Sequence, residues 1–556
     1  YEAGKYATGS YNTFIGYTSG RGGTTSVPYS SGIYNTAIGD NALYSHTTGT
    51  RNTVVGRAAG YSISSGNRNT FLGISAGYST TTGNNNVFVG ATAGQNAVSG
   101  TENVFIGYQS GLYQKSGGNN VAIGTGGLYG VILDPTGTST DCVAIGFQAA
   151  RGNAAGTGIT AVGRGAMRNS HMSASYSTFV GYNSGYYATG SNNTFVGAQA
   201  GQGTNSLPYA SGEYNTGVGR LVMNVFTTGE ENVVVGYNAL NALTTGNGNV
   251  GLGYEALKVH TTGQYNVAIG WKAMDDTDAG GNSANSNNNI AIGANALGGT
   301  WANAVSEFNI AIGQNSMAGA LNAAVNNTAV GVESLKAVTT SDNNTAIGYQ
   351  AGDSITSGPR NTLVGYQAGD NIGVGENNIM IGYGADANAT ATSDTIVIGY
   401  NATPTGNNQT ILGTATQTFT LIGGGKAICR VAPHNIAAGS SKTITVDLAA
   451  HQGWISGMMH IVATDSGHSG GGVYQVSFSA FLDADATTTD ITQTIIHSDR
   501  GSGSSNYIEL NSPTAGTGNI NWVLDNDHSG AFNSLNITVE AYMAENPIRY
   551  LTLATS

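Results

Sequence analysis

The chain has 556 residues, a formal net charge of −12 and a charged fraction of only 9%. Soluble domains usually carry roughly 25% charged residues, and a scarcity of charge often accompanies disorder or membrane insertion. Neither class fits, because the chain has 29 tyrosines and many β-branched residues, and no apolar run approaches the roughly 18 residues of a membrane helix. The acidic balance, without a basic stripe, argues against nucleic acid as a partner.

A short block repeats along most of the chain. Residues 12–16, with the sequence NTFIG, are its first copy, and residues 409–413, QTILG, are its last. There are 23 copies, most of them 17 residues apart, and a few spacings run to 20–23 residues. A fixed period of this kind indicates a solenoid, and we expect the extra residues of the longer spacings to be surface loops that leave the stack unbroken.

The block predicts a short strand with two apolar faces. The residue before the glycine is Ile, Val or Leu in every copy, and the residue two positions earlier is always β-branched. Because side chains alternate along a strand, these two share one face, which we interpret as the interior of each coil. The residue between them is also apolar, so we expect another copy of the chain to cover it. The largest residues of this predicted interface are Phe14, Phe71, Phe88, Phe105, Phe179 and Phe195.

The remainder of each period predicts turns. Glycine ends every block, as a tight corner requires, and the small residue three positions later is interpreted as part of a second short strand. Asn opens 18 of the 23 copies, which predicts a ladder of stacked amides rather than a ligand site. We therefore predict an all-β, parallel β-roll or β-helix shaft over residues 1–422, with about 17 residues per coil.

A different region follows the three glycines at 423–425, which are interpreted as a linker. Segments of alternating hydrophobicity separated by turn clusters predict an antiparallel, jelly-roll-like β-sandwich over residues 426–556. The predicted strands are 426–431, 442–448, 458–463, 473–482, 491–497, 507–510, 520–524, 535–542 and 550–553.

Loops of this C-terminal region are the predicted receptor contacts, because they are unique whereas the shaft repeats one surface. His460, Asp465 and His468 can be drawn as a metal site, but their spacing matches no metal motif, so neither a metal nor a cofactor is predicted. The alternative role for the region is a folding cap that seals the last coil. The candidate contact residues are Asp465, His468, Asp499, Arg500, Asp525, Asp527 and His528.

An aromatic row is the second candidate surface. It occupies the position after the glycine of the block, and it suits either sugar rings or packing between chains, of which we favour packing. Its members are Tyr17, Tyr108, Phe147, Tyr182, Tyr237, Tyr254, Trp271, Tyr349, Tyr366, Tyr383 and Tyr400.

The string NTAIGYQAG, complete at residues 344–352 and nearly so at 361–369, resembles repeats in many bacteriophage tail-fibre proteins. The blocks are also similar to the head repeats of trimeric autotransporter adhesins, which are left-handed parallel β-rolls of three chains. The resemblance implies a homotrimeric fibre of the virion tail that binds a host surface glycan or another receptor. It further implies attachment to the tail or baseplate through an N-terminal region that is not in this chain. The alternative is an extracellular adhesin or filament subunit at a bacterial cell surface.

Catalysis is not expected from the residues. Glycan cleavage needs two carboxylates held about 5–9 Å apart, whereas acidic residues are few in the repeats and recur at no paired spacing. We therefore predict a fibre that is not an enzyme, with a polysaccharide depolymerase as the less favoured alternative.

Overall fold

The computed structural model describes residues 1–413 except 24–28, 131–136, 154, 170–173, 205–209, 278–284 and 303, and then the backbone of ten strands between residues 426 and 555. These residues contain no α-helix, and so they contain no helix that could span a membrane. Each sequence block forms one three-residue strand. The strands are β1 (Thr13–Ile15), β2 (Thr36–Ile38), β3 (Thr53–Val55), β4 (Thr70–Leu72), β5 (Val87–Val89), β6 (Val104–Ile106), β7 (Val121–Ile123), β8 (Val143–Ile145), β9 (Thr160–Val162), β10 (Thr178–Val180), β11 (Thr194–Val196), β12 (Thr216–Val218), β13 (Val233–Val235), β14 (Val250–Leu252), β15 (Val267–Ile269), β16 (Ile290–Ile292), β17 (Ile310–Ile312), β18 (Thr328–Val330), β19 (Thr345–Ile347), β20 (Thr362–Val364), β21 (Ile379–Ile381), β22 (Ile396–Ile398) and β23 (Thr410–Leu412).

These strands pair in parallel and in register, so that equivalent residues of successive coils lie side by side. Thr53 pairs with Thr70, and Thr70 pairs in turn with Val87. The stacked rings of Phe71 and Phe88 lie 4.7 Å apart, which is the usual spacing between strands of a sheet. The predicted parallel β-solenoid with about 17 residues per coil is confirmed.

The longer spacings do not interrupt the ladder. Thr13 pairs with Thr36, and Val267 pairs with Ile290, although 23 residues separate the partners in each case. Residues 24–28 and 278–284, which fall within these two spacings, lie outside the described residues. The pairings confirm that the longer repeats leave the stack unbroken.

The middle residue of each strand points into the coil, which reverses the predicted assignment of the two faces. The rings of Phe71, Phe88, Phe105, Phe179 and Phe195 have no exposed surface within a single chain, and Phe14 in the first coil is half-buried. The flanking β-branched residues point outward, and Ile106 and Ile123 remain 37% and 38% exposed. The prediction that the Phe row forms an interface between chains is therefore wrong. The pattern could not separate the faces, because both sides of the strand are apolar.

The segment after each strand consists of consecutive turns and not of the predicted second strand. Gly56 has a φ of 134°, and a Cβ at this position would lie 2.4 Å from the carbonyl oxygen of Gly73 in the next coil. Ala58 and Gly60 then adopt left-handed φ angles of 55° and 54°. Left-handed residues at every second position coil the backbone, so this segment cannot be an extended strand. The turns still join successive coils, since the amide of Gly60 donates to the carbonyl of Ala76 at 2.8 Å.

Two positions six residues apart fill the centre of a coil in a complementary way. Where the strand carries a phenylalanine, the turn carries a glycine, and a Cβ on Gly111 would lie 2.3 Å from the Phe105 ring. Where the strand carries a small residue, the turn in most coils carries a long one, as in the fully buried pair Ala122 and Leu128. The pairs Ala144 with Ala150 and Ala346 with Gly352 are exceptions. In most coils these two positions together therefore supply one large side chain to the core.

A ladder of buried asparagines runs beside the strands, as predicted. Asn86 donates from its backbone N and from Nδ2 to Oδ1 of Asn69, both at 3.0 Å, and Nδ2 also donates to the carbonyl of Gly100 at 2.8 Å. Its own Oδ1 accepts hydrogen bonds from the backbone N and Nδ2 of Asn103 at 3.0 and 3.1 Å. Cys142 occupies the position of the asparagine in one coil, and burial raises the pKa of its free thiol to about 11. Each amide thus satisfies polar groups of the coils on both sides.

Beyond residue 425 the described backbone forms two antiparallel sheets. The first has the order β24-β32-β26-β27-β28, and the second has the order β29-β31-β25-β33 with β30 beside β31. All nine predicted segments overlap a strand, and β30 is additional. The packing of the two sheets as a sandwich and the linker at 423–425 stay predictions. The strands are β24 (Lys426–Val431), β25 (Ser441–Asp447), β26 (Gly453–Thr464), β27 (Gly472–Leu482), β28 (Thr488–Arg500), β29 (Ile508–Leu510), β30 (Thr514–Gly516), β31 (Asn519–Asn526), β32 (Ser534–Met543) and β33 (Leu553–Thr555).

Contacts divide the chain into two compact units. The first comprises Tyr1–Asn378 with Ala389–Ser393, and the second comprises Ile379–Asn388 with Asp394–Ser556. The first unit contains strands β1–β20, which correspond to roughly 95 Å of stack at about 4.8 Å per coil. The domain limits predicted from the sequence stay predictions.

Candidate functional site

The residues predicted to contact a receptor fall into two groups. Asp499 and Arg500 are the last residues of β28, and Asp525 is the penultimate residue of β31. The others, Asp465, His468, Asp527 and His528, lie outside the described residues.

The strand register brings the residues that border three predicted contact segments to one end of the first C-terminal sheet. Gly472, which begins β27, pairs with Arg500, which ends β28. Thr464, which ends β26, pairs with Ser534, which begins β32. The strand ends that border the predicted segments 465–472, 499–506 and 525–531 on this sheet therefore lie at one end, whereas residues 465–471, 501–506 and 527–531 themselves lie outside the described residues.

The aromatic row runs along the outside of the shaft. Tyr237 and Tyr254 stack with ring centroids 5.3 Å apart, and Tyr349 and Tyr366 stack at 5.1 Å. Rings stacked in this way cover one another's faces and present mainly their edges to a contacting molecule. A sugar ring packs its C–H face against an open aromatic face, so stacked positions suit it poorly.

Trp271 is the member of the row that borders a pocket. Its side chain is 54% exposed, and the following coil carries only Ala294 at the equivalent position. The pocket on that side has a volume of about 400 Å³. Its polar lining includes Lys272, Asp275, Asp276, Asn295, Gln314 and Asn315.

The charges beside Trp271 are largely paired. Nζ of Lys272 lies 3.5 Å from Oδ2 of Asp275 and 3.6 Å from Oε2 of Glu255 in the preceding coil, and 5.2 Å from the Trp271 ring centroid. The attraction of Asp275 raises the pKa of Lys272. Burial raises the pKa of Asp275, against the opposite effect of Lys272. The cation is therefore held over the Trp271 ring by one carboxylate of its own coil and one of the preceding coil.

The opposite wall of the pocket is fixed by hydrogen bonds. The carboxylate of Asp276 accepts a hydrogen bond from the hydroxyl of Thr300. Nδ2 of Asn295 donates to Oδ1 of Asn315 at 2.9 Å. Sequence reasoning placed Trp271 in the aromatic row but missed this pocket, because its walls come from three successive coils. Across the described part of the chain, no group of three His, Cys, Asp or Glu side chains is placed to hold a metal ion.

No family model matches the chain, and no curated protein matches it. Among solved structures the chain is similar to the tailspike protein gp49 of Acinetobacter baumannii bacteriophage Fri1, a capsular polysaccharide depolymerase, with 9% identity and a TM-score of 0.22 over 91% of this chain and 81% of that one. It is also similar to the tailspike protein of Acinetobacter baumannii phage AM24, with 7% identity and a TM-score of 0.16 over 98% and 80% of the two chains.

The prediction that the chain is not an enzyme is contradicted by this likeness, since one of the two tailspikes is described as a depolymerase, and we withdraw it. At these identities and TM-scores the likeness assigns neither an activity nor a catalytic residue to this chain.

Proposed function

We propose that this chain is a structural and host-attachment fibre of a bacteriophage tail, with the C-terminal region 426–556 as its receptor-binding tip. The observation that supports the proposal is the register of the first C-terminal sheet, in which the strand ends Thr464, Gly472, Arg500 and Ser534, which border three non-repeated segments, lie at one end. The shaft repeats one surface in every coil and therefore offers length more than specificity. A surface glycan or another host-surface molecule is the proposed receptor.

The tip is tested by exchanging loops in the full chain. Replacing residues 465–471 with a Gly/Ser segment of equal length is expected to abolish binding of the purified chain to host cells, measured by flow cytometry across a panel of bacterial strains. The matched control replaces residues 483–487, between β27 and β28. Its flanking residues Leu482 and Thr488 pair at the opposite end of the same sheet. If both variants bind cells as the wild type does, the region is a folding cap and not the tip.

We also propose that the fibre is a homotrimer, packed through the outward face of the strands. Along this face the third residue of each strand forms a column of Ile, Val and Leu, and many of these side chains are more than a third exposed within one chain. Soluble monomers rarely expose a contiguous apolar patch larger than a few hundred Å², and larger ones usually mark interaction sites. A closed three-fold arrangement would cover the column in every copy.

The outward face is tested with the double variant Ile106→Asp and Ile123→Asp. Light scattering coupled to size exclusion is expected to give three times the 56.4-kDa chain mass for the wild type and a single chain for the variant. Ser99→Asp with Ser116→Asp is the control, because both serines are exposed in turns of adjacent coils. A monomeric wild type, or a trimeric Ile variant, would refute the assignment.

A further inference from the structure

The pocket beside Trp271 differs from the stacked parts of the aromatic row in being bordered by an indole side chain that is 54% exposed. Nζ of Lys272 lies 5.2 Å from the centroid of this ring and is paired with Asp275 and Glu255, and the next coil offers only the methyl group of Ala294 at the equivalent position of the row. An exposed indole beside a pocket is a platform for the apolar C–H face of a pyranose, because the indole is both flat and large.

The size and lining of the pocket suit one or two sugar units. Its volume of about 400 Å³ falls within the ~300–1,000 Å³ typical of small-molecule sites. Hydrogen-bond donors and acceptors surround the aromatic floor, and they come from the amides of Asn295, Gln314 and Asn315 and from the carboxylate of Asp276. The bonds from Thr300 to Asp276 and from Asn295 to Asn315 fix this wall before any ligand arrives.

The charges of the lining select against acidic sugars. One ammonium, that of Lys272, faces two carboxylates, those of Asp275 and Asp276, and Lys272 is already paired with Asp275 and Glu255. A uronic or sialic acid would bring a further carboxylate beside Asp276 without a cation to pair with it. A neutral hexose carries no such cost.

We propose that the pocket of Trp271 and Asp276 is a saccharide-binding subsite on the shaft, specific for neutral hexopyranose units of a surface polysaccharide. The subsite rests on the proposed attachment function and deepens it, because the shaft would then bind, more weakly, the same polysaccharide that the tip binds. Several weak contacts along one polymer add avidity without any single strong site.

The test measures direct binding of short oligosaccharides to the full chain by isothermal titration calorimetry. The probes are neutral hexasaccharides of glucose, galactose, mannose and N-acetylglucosamine, with hexagalacturonate as the acidic probe. At least one neutral probe is expected to bind, and hexagalacturonate is not. Trp271→Ala is expected to weaken the neutral binding roughly tenfold or more. Gln314→Ala is expected to weaken it less, and Asp276→Asn is expected to admit the acidic probe.

Tyr349→Ala is the matched control, because Tyr349 lies in the same row and stacks on Tyr366. Wild-type affinity in this variant supports the subsite. Failure of every neutral probe to bind, unchanged binding in Trp271→Ala, or an equal loss in Tyr349→Ala overturns it. The outcome is separable from that for the tip, since cell binding that depends on residues 465–471 but not on Trp271 sustains the attachment function and rejects the subsite.

Discussion

The complementary filling of the coil centres predicts that two damaging substitutions repair each other. Phe105→Ala empties the core of the coil that contains β6 and removes a ring stacked 4.9 Å from Phe88. Burial of this kind is worth about 3–5 kcal/mol. Gly111→Leu alone drives a side chain into the Phe105 ring, and overpacking costs about 1–3 kcal/mol or more. Together the two substitutions reproduce the neighbouring pair Ala122 and Leu128.

The double variant is expected to lie within about 1 kcal/mol of the wild type. Leucine tolerates the left-handed backbone at this position, since Leu128 adopts a φ of 45° there. The single variant Phe105→Ala is expected to lose roughly a hundredfold to several thousandfold in hydrogen-exchange protection of the β6 peptide, because about 1.36 kcal/mol corresponds to tenfold. The double variant is expected to regain nearly all of that protection.

The assay is hydrogen exchange followed by mass spectrometry on the full chain, which reports the opening of a single coil. The reverse exchange, Ala122→Phe with Leu128→Gly, serves as a second cycle in the adjacent coil. Additive effects of Phe105→Ala and Gly111→Leu, with no coupling between them, would refute the idea that the side chains at these two positions share one space in the core.

Three further predictions concern the shaft. Asn86→Ala leaves the backbone amide of Asn103 and the carbonyl of Gly100 without their hydrogen-bond partner, so it is expected to lower the free energy of local opening by about 3 kcal/mol, measured by hydrogen exchange. Asn84→Ala, at a part-exposed asparagine, should lower it by under about 1 kcal/mol, and equal effects of the two variants would contradict the ladder. Burial lowers the pKa of His260 to about 4. The free energy of unfolding is therefore expected to be at its full value above about pH 6.5 and to fall by about 2–3 kcal/mol as the pH drops to about 4.5, because the unfolded chain binds a proton that the folded chain does not. His260→Gln should remove this part of the pH dependence of unfolding. Deleting residues 24–28 should leave the melting temperature unchanged, but extending the deletion through Ser30, which accepts from the amide of Thr8 at 2.7 Å, should lower it.

The positions of the strands were predictable because each block carries two independent signals, β-branched residues and a terminal glycine. The glycine is required by the approach of the next coil, which leaves no room for a Cβ at Gly56. The direction of the faces was not predictable from the alternation of apolar and polar residues, since no residue of the strand is reliably polar. The pairing of Phe105 with Gly111 and of Ala122 with Leu128 contains the missing signal, because such compensation makes sense only within one core.

The C-terminal strands were predictable for a simpler reason, since their alternation is interrupted by clear turn clusters. Their register was not, and it is the register that brings Gly472 next to Arg500. The pocket at Trp271 could not be predicted from any sequence pattern. Its walls come from residues 271, 295 and 314, and their proximity depends on how two unequal repeats stack.

The rise of the solenoid has a consequence for what this architecture is good at. A coil of 17 residues, the separation between the paired Thr53 and Thr70, advances the stack by about 4.8 Å, or roughly 0.3 Å per residue. An α-helix advances about 1.5 Å per residue, so a helical stalk would cover the same distance with roughly a fifth of the chain. A polymer selected only for reach would not be built this way. In return for the longer chain, a solenoid has a larger cross-section and a greater bending stiffness. Its surface carries side chains at a spacing that the backbone sets. It can be lengthened by whole coils without a change at either end.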